Sequence, residues 1–283
     1  MNRPGTDLER ALAPRLADLS GMKAVILCGG RGTRLAPLTS VLPKPLLPIG
    51  DRSILEIVVR RIARSGITDV TLCVGYLSHL IRAVFDNGPS KGLDITYLNE
   101  HEPLGTAGPL KRLEGLDSTF LVMNGDVLTT LDLRELVAEH RRAKNALTIA
   151  THRRTLKIDY GVLRHQPDGQ RDRLVDFDEK PEVPLTVSMG IYIMEPSLLE
   201  LIPDEGAFDF PDLARAAMAA ELPVGVYLYD GSWFDIGRHE DFEQALLAWA
   251  QDDSTLRAEL DPALEAAAPE TKPATRSASA SSV

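Results

Sequence analysis

The strongest constraint on this chain lies near its start. An apolar, partly β-branched run, Ala24-Val25-Ile26-Leu27-Cys28, opens directly into Gly29-Gly30-Arg31-Gly32-Thr33-Arg34-Leu35. A short apolar run bounded by turn residues reads as a buried strand. A glycine-rich turn at its end lets backbone amides face a ligand at close range, which makes an anion cradle. Arg31 and Arg34 stand in that turn, and Lys44 follows between Pro43 and Pro45. Guanidinium and ammonium groups beside an amide cradle suit phosphate oxygens. This opening predicts a triphosphate or pyrophosphate site. It is not a P-loop, because Thr33 stands where the lysine after the last glycine should be. It is not a dinucleotide fingerprint, because Leu35 replaces the third glycine.

Strand and helix patterns alternate beyond this point, which argues for a parallel α/β sheet. Ser53 is placed to cap a helix with Ile54, Leu55, Val58, Val59 and Ile62 on one side. Strands are expected at 69–74, 94–98, 119–123 and 147–151, with helices at 77–85 and 133–144. The pattern then turns antiparallel, as 160–165 and 173–177 flank Pro167-Asp168-Gly169, a hairpin composition. A strand at 188–194, a helix at 211–220, a strand at 224–229 and a closing helix at 240–250 complete the pattern. The expected fold class is α/β, a doubly wound, mixed, mostly parallel Rossmann-like sheet. Its first half spans about 22–152 and its more antiparallel half about 153–251. Residues 1–21 read as a dispensable leader, with Met22 an alternative start. Residues 252–283, rich in Ala, Pro, Ser and Thr, read as a disordered tail.

Composition excludes several classes. The 283 residues are 44% hydrophobic and 25% charged, enough for a sizeable core. A net charge of −10 disfavours nucleic acid and anionic membrane as partners. No apolar stretch is long enough to span a bilayer. Asp7, Glu9 and Asp18 interrupt the first twenty residues, which lack a signal core. Cys28 and Cys73, the two cysteines, lie in apolar runs and read as reduced core thiols of a cytoplasmic protein.

The pattern G-G-x-G-T-R-L-x-P-L-T followed by P-K-P resembles the signature of the sugar-1-phosphate nucleotidylyltransferases. Further segments follow in that family's order: Leu104-Gly105-Thr106-Ala107-Gly108, Asn124-Gly125-Asp126, Tyr160-Gly161-Val162, Asp178-Glu179-Lys180-Pro181, Ser188-Met189-Gly190 and Trp233-Phe234-Asp235-Ile236-Gly237. The likeness is greatest to the mannose-1-phosphate guanylyltransferase-like branch and covers about residues 22–250. It implies a GT-A-like nucleotidyltransferase fold with an antiparallel sugar-binding insertion. It also implies a reaction of an NTP with a sugar 1-phosphate, giving an NDP-sugar and pyrophosphate by in-line attack on the α-phosphate.

The resemblance carries roles onto particular residues. Arg34, Lys44 and Asp126 would be catalytic. Leu27, Gly29, Gly30, Arg31, Gly32, Thr33, Gly105 and Thr106 would hold the nucleotide. Asn124, Gly161, Glu179, Lys180, Ser188 and Gly190 would hold the sugar phosphate. Asp126 and Asp235 would share Mg2+, a hard cation that takes oxygen ligands. Glu100 is read on its own chemistry. A carboxylate offers only acceptors, and guanine presents N1–H and N2–H2 side by side, so the match favours GTP. Glu102 is an alternative for that part, and both carboxylates could be solvated. Ser188 stands where many relatives carry asparagine, which leaves a mannose-like hexose, a heptose or a pseudosugar open. A homo-oligomer, dimer or tetramer, is implied. Two alternatives remain: a thymidylyl-, uridylyl- or adenylyl-transferring relative, and a non-catalytic NDP-sugar-binding homologue.

Overall fold

The computed structural model describes residues 16–86, 92–169 and 171–250. The expected tail and residues 1–15 of the expected leader lie outside the described residues. The strands are β1 (Lys23–Cys28), β2 (Pro48–Ile49), β3 (Arg52–Ser53), β4 (Asp69–Val74), β5 (Asp94–Asn99), β6 (Phe120–Asn124) and β7 (Val127–Thr129). They continue as β8 (Leu147–Lys157), β9 (Gly161–Asp168), β10 (Arg171–Glu179), β11 (Glu182–Met194), β12 (Val224–Tyr229) and β13 (Trp233–Asp235). The helices are α1 (Ile54–Arg64), α2 (Ser78–Phe85), α3 (Leu133–Ala143), α4 (Phe210–Ala219) and α5 (His239–Ala250).

Seven strands form one sheet in the order β12-β8-β11-β6-β1-β4-β5. β11 runs antiparallel to both β6 and β8, while the β1–β4, β1–β6, β4–β5 and β8–β12 pairs are parallel. This is the expected mixed, mostly parallel α/β sheet. Its central strands β1, β4 and β6 are covered on both faces, and they are nearly continuous apolar runs. Ala24, Ile26 and Cys28 of β1 pack with buried residues of α1, α2, α3 and α5. Val25 joins the opposite layer, where α4 contributes Phe210, Leu213 and Ala217. Cys28 belongs to the first layer and Cys73 to the second, and both are free and buried.

Local signals explain the elements. The Ser53 hydroxyl accepts from the Glu56 N–H at 3.2 Å and caps α1 as expected. β9 and β10 form the hairpin read from Pro167-Asp168-Gly169, a sheet of their own, with Arg164 bridging to Asp178 at 3.0 Å. β8 and β11 run longer than expected and pair from Lys157–Glu182 to Leu147–Met194. The turn at 104–108 opens a single 3-10 turn, Gly108–Arg112, rather than an α-helix. The packed unit also begins upstream of the boundary expected at Met22. Leu19 is 1% exposed within the first core layer, and the Ala17 N–H donates to the Arg134 carbonyl at 3.3 Å. Leu19 stands among charged residues and prolines of the leader, and its long-range partners in the core are not readable from sequence. Among the described residues no helix is long and apolar enough to cross a membrane.

Candidate active site

In open α/β sheets, ligands bind beyond the carboxyl ends of the strands. Here the ends of β1, β4, β5 and β6 border one cleft of about 720 Å³. Leu27 and the whole turn from Gly29 to Arg34 line it, together with Lys44. The turn is held from behind: Leu35 is fully buried, and the Thr39 hydroxyl donates to the Gly32 carbonyl at 2.9 Å. Lys44 begins a short 3-10 turn whose Pro45 and Leu46 are buried, which fixes the base of its side chain.

Asn124 and Asp126 reach the same cleft from the end of β6. Between them Gly125 passes tightly against β1, its N–H donating to the Leu27 carbonyl at 2.9 Å. A side chain there would meet Cys28 Sγ at 2.6 Å, so glycine is what allows Asp126 to turn inward. Asp126 Oδ2 forms an ion pair with Lys44 Nζ. Its other oxygen, Oδ1, is buried with no hydrogen-bond partner among the described residues.

Asp235 arrives from the far end of the chain. β13 pairs antiparallel with β7, placing Asp235 opposite Val127, and the Ile236 N–H donates to the Asp126 carbonyl at 3.2 Å. Burial raises the Asp235 carboxyl above its usual range. The negative charge of Asp126 raises it further, while Lys44 and Arg34 pull it back. Two neighbouring carboxylates, one with an orphaned buried oxygen, suit a divalent cation that also takes phosphate oxygens. No cluster of three or more His, Cys, Asp or Glu side chains with metal-binding geometry occurs among the described residues.

Glu100, Gly105 and Thr106 border another part of the cleft. The Glu100 carboxylate lies against Gly29, where any side chain would collide with it. Burial raises Glu100 above the ordinary carboxyl range, partly offset by the Leu104 N–H and by Arg112. Glu102, also on the cleft, pairs with Arg112 at 3.1 Å and is 68% exposed. The Thr106 hydroxyl and N–H both point to Asp209 rather than to open space.

The residues expected to hold the sugar phosphate divide. Gly190 packs against Asn124, its absent Cβ only 2.5 Å from Asn124 Nδ2. Ser188 sits at the break in the β11–β8 register, donating to the Tyr192 hydroxyl at 3.1 Å and accepting from the Gly190 N–H at 3.3 Å. Gly161 and Glu179 face each other across the β9–β10 hairpin, and Lys180 follows with φ 48°. Neither they nor Lys180 border the cleft around the glycine turn. Sequence reasoning passed over two features. One is Asp209, readable only as a helix-cap residue before Phe210-Pro211. The other is the surround of Trp233, whose Nε1–H donates to the Met189 carbonyl at 3.2 Å beneath the Arg154 guanidinium.

Fold and cleft together define an α/β protein whose strand-end cleft gathers a glycine turn, Arg31, Arg34, Lys44 and Asp126. Residues 23–252 match the family described as Nucleotidyl transferase, and the chain belongs to that family. It is 37% identical over 232 residues to a mannose-1-phosphate guanyltransferase of Aspergillus oryzae, covering 78% of this chain and 62% of that protein. It is 33% identical over 245 residues to a UTP–glucose-1-phosphate uridylyltransferase of Synechocystis, covering 80% of this chain and 62% of that one. The chain thus spans about 62% of the length of these relatives. The structure of HddC from Yersinia pseudotuberculosis complexed with GMP-PN shares the fold. Its TM-score is 0.60 at 24% identity, over 80% of this chain and 98% of that one.

Proposed function

We propose that this chain transfers a nucleotidyl group from an NTP to a sugar 1-phosphate, releasing pyrophosphate. The observation that carries the reading is the meeting, in one cleft, of the glycine turn, Arg31, Arg34, Lys44 and Asp126. An acidic chain that concentrates cations around an amide-lined turn is built to take phosphates. GTP is the favoured nucleotide. Glu100 supports it as a half-buried acceptor inside the cleft, whereas Glu102 is committed to an exposed ion pair. A mannose-like sugar is favoured by the named function of the Aspergillus relative. The protein is read as cytoplasmic and homo-oligomeric.

The chain's own part is positioning and electrostatics. The glycine-turn amides and Arg31 hold the triphosphate, and Arg34 and Lys44 face its outer phosphates. An oxygen of the sugar phosphate forms the new bond to the α-phosphorus. The bond to the bridging oxygen breaks, and its electron pair leaves on pyrophosphate, stabilised by the two cations. No general base is needed, because a sugar phosphate is already ionised at neutral pH. Asn124 and Gly190 shape the neighbouring wall for the sugar, while Lys180 and Glu179, which lie outside the cleft, would have to reach the sugar phosphate from the hairpin side. Asp126 and Asp235 would hold Mg2+, which supplies positive charge for the reacting phosphates when bound.

The test is a matrix of GTP, UTP, dTTP and ATP against sugar 1-phosphates, with Mg2+ or with chelator, read by pyrophosphate release. The reading expects turnover that needs the cation, is strongest with GTP, and is lost in Asp126→Asn while the fold survives. Near-normal turnover in Asp126→Asn overturns the carboxylate assignment. A UTP preference would align the chain with its uridylyl-transferring relative, and binding without turnover would make it a sensor of NDP-sugars.

A further inference from the structure

Asp209 stands at the start of α4, in the position that normally caps a helix, yet its carboxylate makes no bond to its own helix. Oδ1 instead accepts from the Thr106 N–H at 2.8 Å and from the Thr106 hydroxyl at 3.0 Å. The same hydroxyl oxygen accepts from the Phe210 N–H at 3.0 Å, so the cap of α4 comes from a turn about a hundred residues upstream. The hydroxyl thereby uses its donor and an acceptor at once. Phe208 completes the lacing. Its N–H donates to the Leu104 carbonyl at 2.8 Å, and its carbonyl accepts from the Ala107 and Gly108 N–H groups at 2.9 Å each. Gly105 bends between these ties at φ 78°, and a side chain there would lie 2.6 Å from the Phe208 carbonyl and 2.9 Å from Asp209 Oδ1.

We propose that Asp209, acting through Thr106, is a positioning residue that sets the nucleotide end of the cleft. The 104–106 turn lines that end, and the Leu104 N–H steadies the Glu100 carboxylate. Releasing Thr106 therefore frees the turn and Glu100 together. The charged acceptor is the strong member of the set, because a carboxylate receiving N–H and O–H bonds holds them more firmly than a neutral oxygen does. The proposal rests on the reading that this end of the cleft takes the nucleoside.

The experiment compares full-length Asp209→Ala, Asp209→Asn, Thr106→Val and Thr106→Ser in steady-state pyrophosphate release, with GTP binding measured separately by calorimetry. Asp209→Ala and Thr106→Val should raise the KM for GTP and its Kd about tenfold, the order expected when a charge-assisted bond is lost. The kcat and the KM for sugar 1-phosphate should stay near wild type. Thr106→Ser keeps both hydroxyl bonds and should recover most of the affinity, and Asp209→Asn, which keeps a neutral acceptor, should recover part of it. A purely structural cap predicts otherwise: a lower melting temperature that Asn partly restores, with the KM and Kd for GTP unchanged in every variant. That pattern overturns the proposal, as does an equal rise in both KM values. Should Asp209→Ala not fold, Thr106→Val decides alone, since valine keeps the shape and loses only the hydroxyl bonds. If wild type binds GTP but never releases pyrophosphate, the catalytic reading falls, while the calorimetric comparison still judges Asp209.

Discussion

The proposed base-reading role of Glu100 carries a pH dependence. Burial raises it above the ordinary carboxyl range, and the Leu104 N–H and Arg112 only partly offset this. A carboxyl with a raised pKa becomes neutral at a higher pH than an exposed one. Once protonated it presents a donor, and the two-acceptor match proposed for the guanine edge would be broken. The KM for GTP should therefore climb as pH falls through that range, and Glu100→Gln should abolish this limb. Arg112→Ala removes a lowering charge, so the climb should begin at higher pH. A KM profile that is flat in wild type, or identical in the variants, would remove Glu100 from base reading. Sequence nominated Glu100, with Glu102 as the alternative, from its place just upstream of the Gly105 turn. Its contact with Gly29 was not legible there, since β1 and β5 meet only through the sheet.

At the scale of elements, α3 offers a test of local energetics. Asp132 caps it, accepting from the Arg134 N–H at 2.8 Å and pairing with Arg134 Nη2 at 2.7 Å. Those hydrogen bonds hold the Asp132 carboxyl below its usual range. A depressed native pKa gives stability that is present at neutral pH and fades as pH falls through that lowered value. Asp132→Ala should cost about 1 kcal/mol near neutrality, with the gap to wild type closing in acid, as read from urea midpoints. Caps and hairpins such as Ser53 and Pro167-Asp168-Gly169 were legible because their partners lie within a few residues. The β7–β13 ribbon was not. Three-residue strands carry almost no periodic signal, and their pairing joins segments about a hundred residues apart. The family resemblance nominated Asp126 and Asp235, but the ribbon that brings their segments together had to be seen.

For the molecule as a whole, the doubly wound plan was readable from unbroken apolar runs such as Ala24–Cys28, which need cover on both sides. The strand order was not readable, because apolar runs state burial and not neighbours. The reversed direction of β11 surfaced only as a general shift toward antiparallel patterning. The N-terminal limit of the packed unit makes a direct test. Leu19 is almost completely buried, so Leu19→Ala should cost about 2–5 kcal/mol. A lowered denaturation midpoint is expected, with turnover at low temperature retained. No change in midpoint would return the segment before Met22 to a passive leader.

The separation of the two thiols by the pleat has a practical corollary. Cys28 and Cys73 lie in different layers, so the native fold offers them no route to a mutual disulfide. Burial pushes Cys73 up to about 12 and Cys28 well above its ordinary value, leaving almost no thiolate near neutrality. Alkylation of Cys73 is then expected to be slow in the native fold and to speed up as the sheet opens. The rate at which this protein takes up such a label becomes a clock for its opening, wound by the fold and needing no engineered probe.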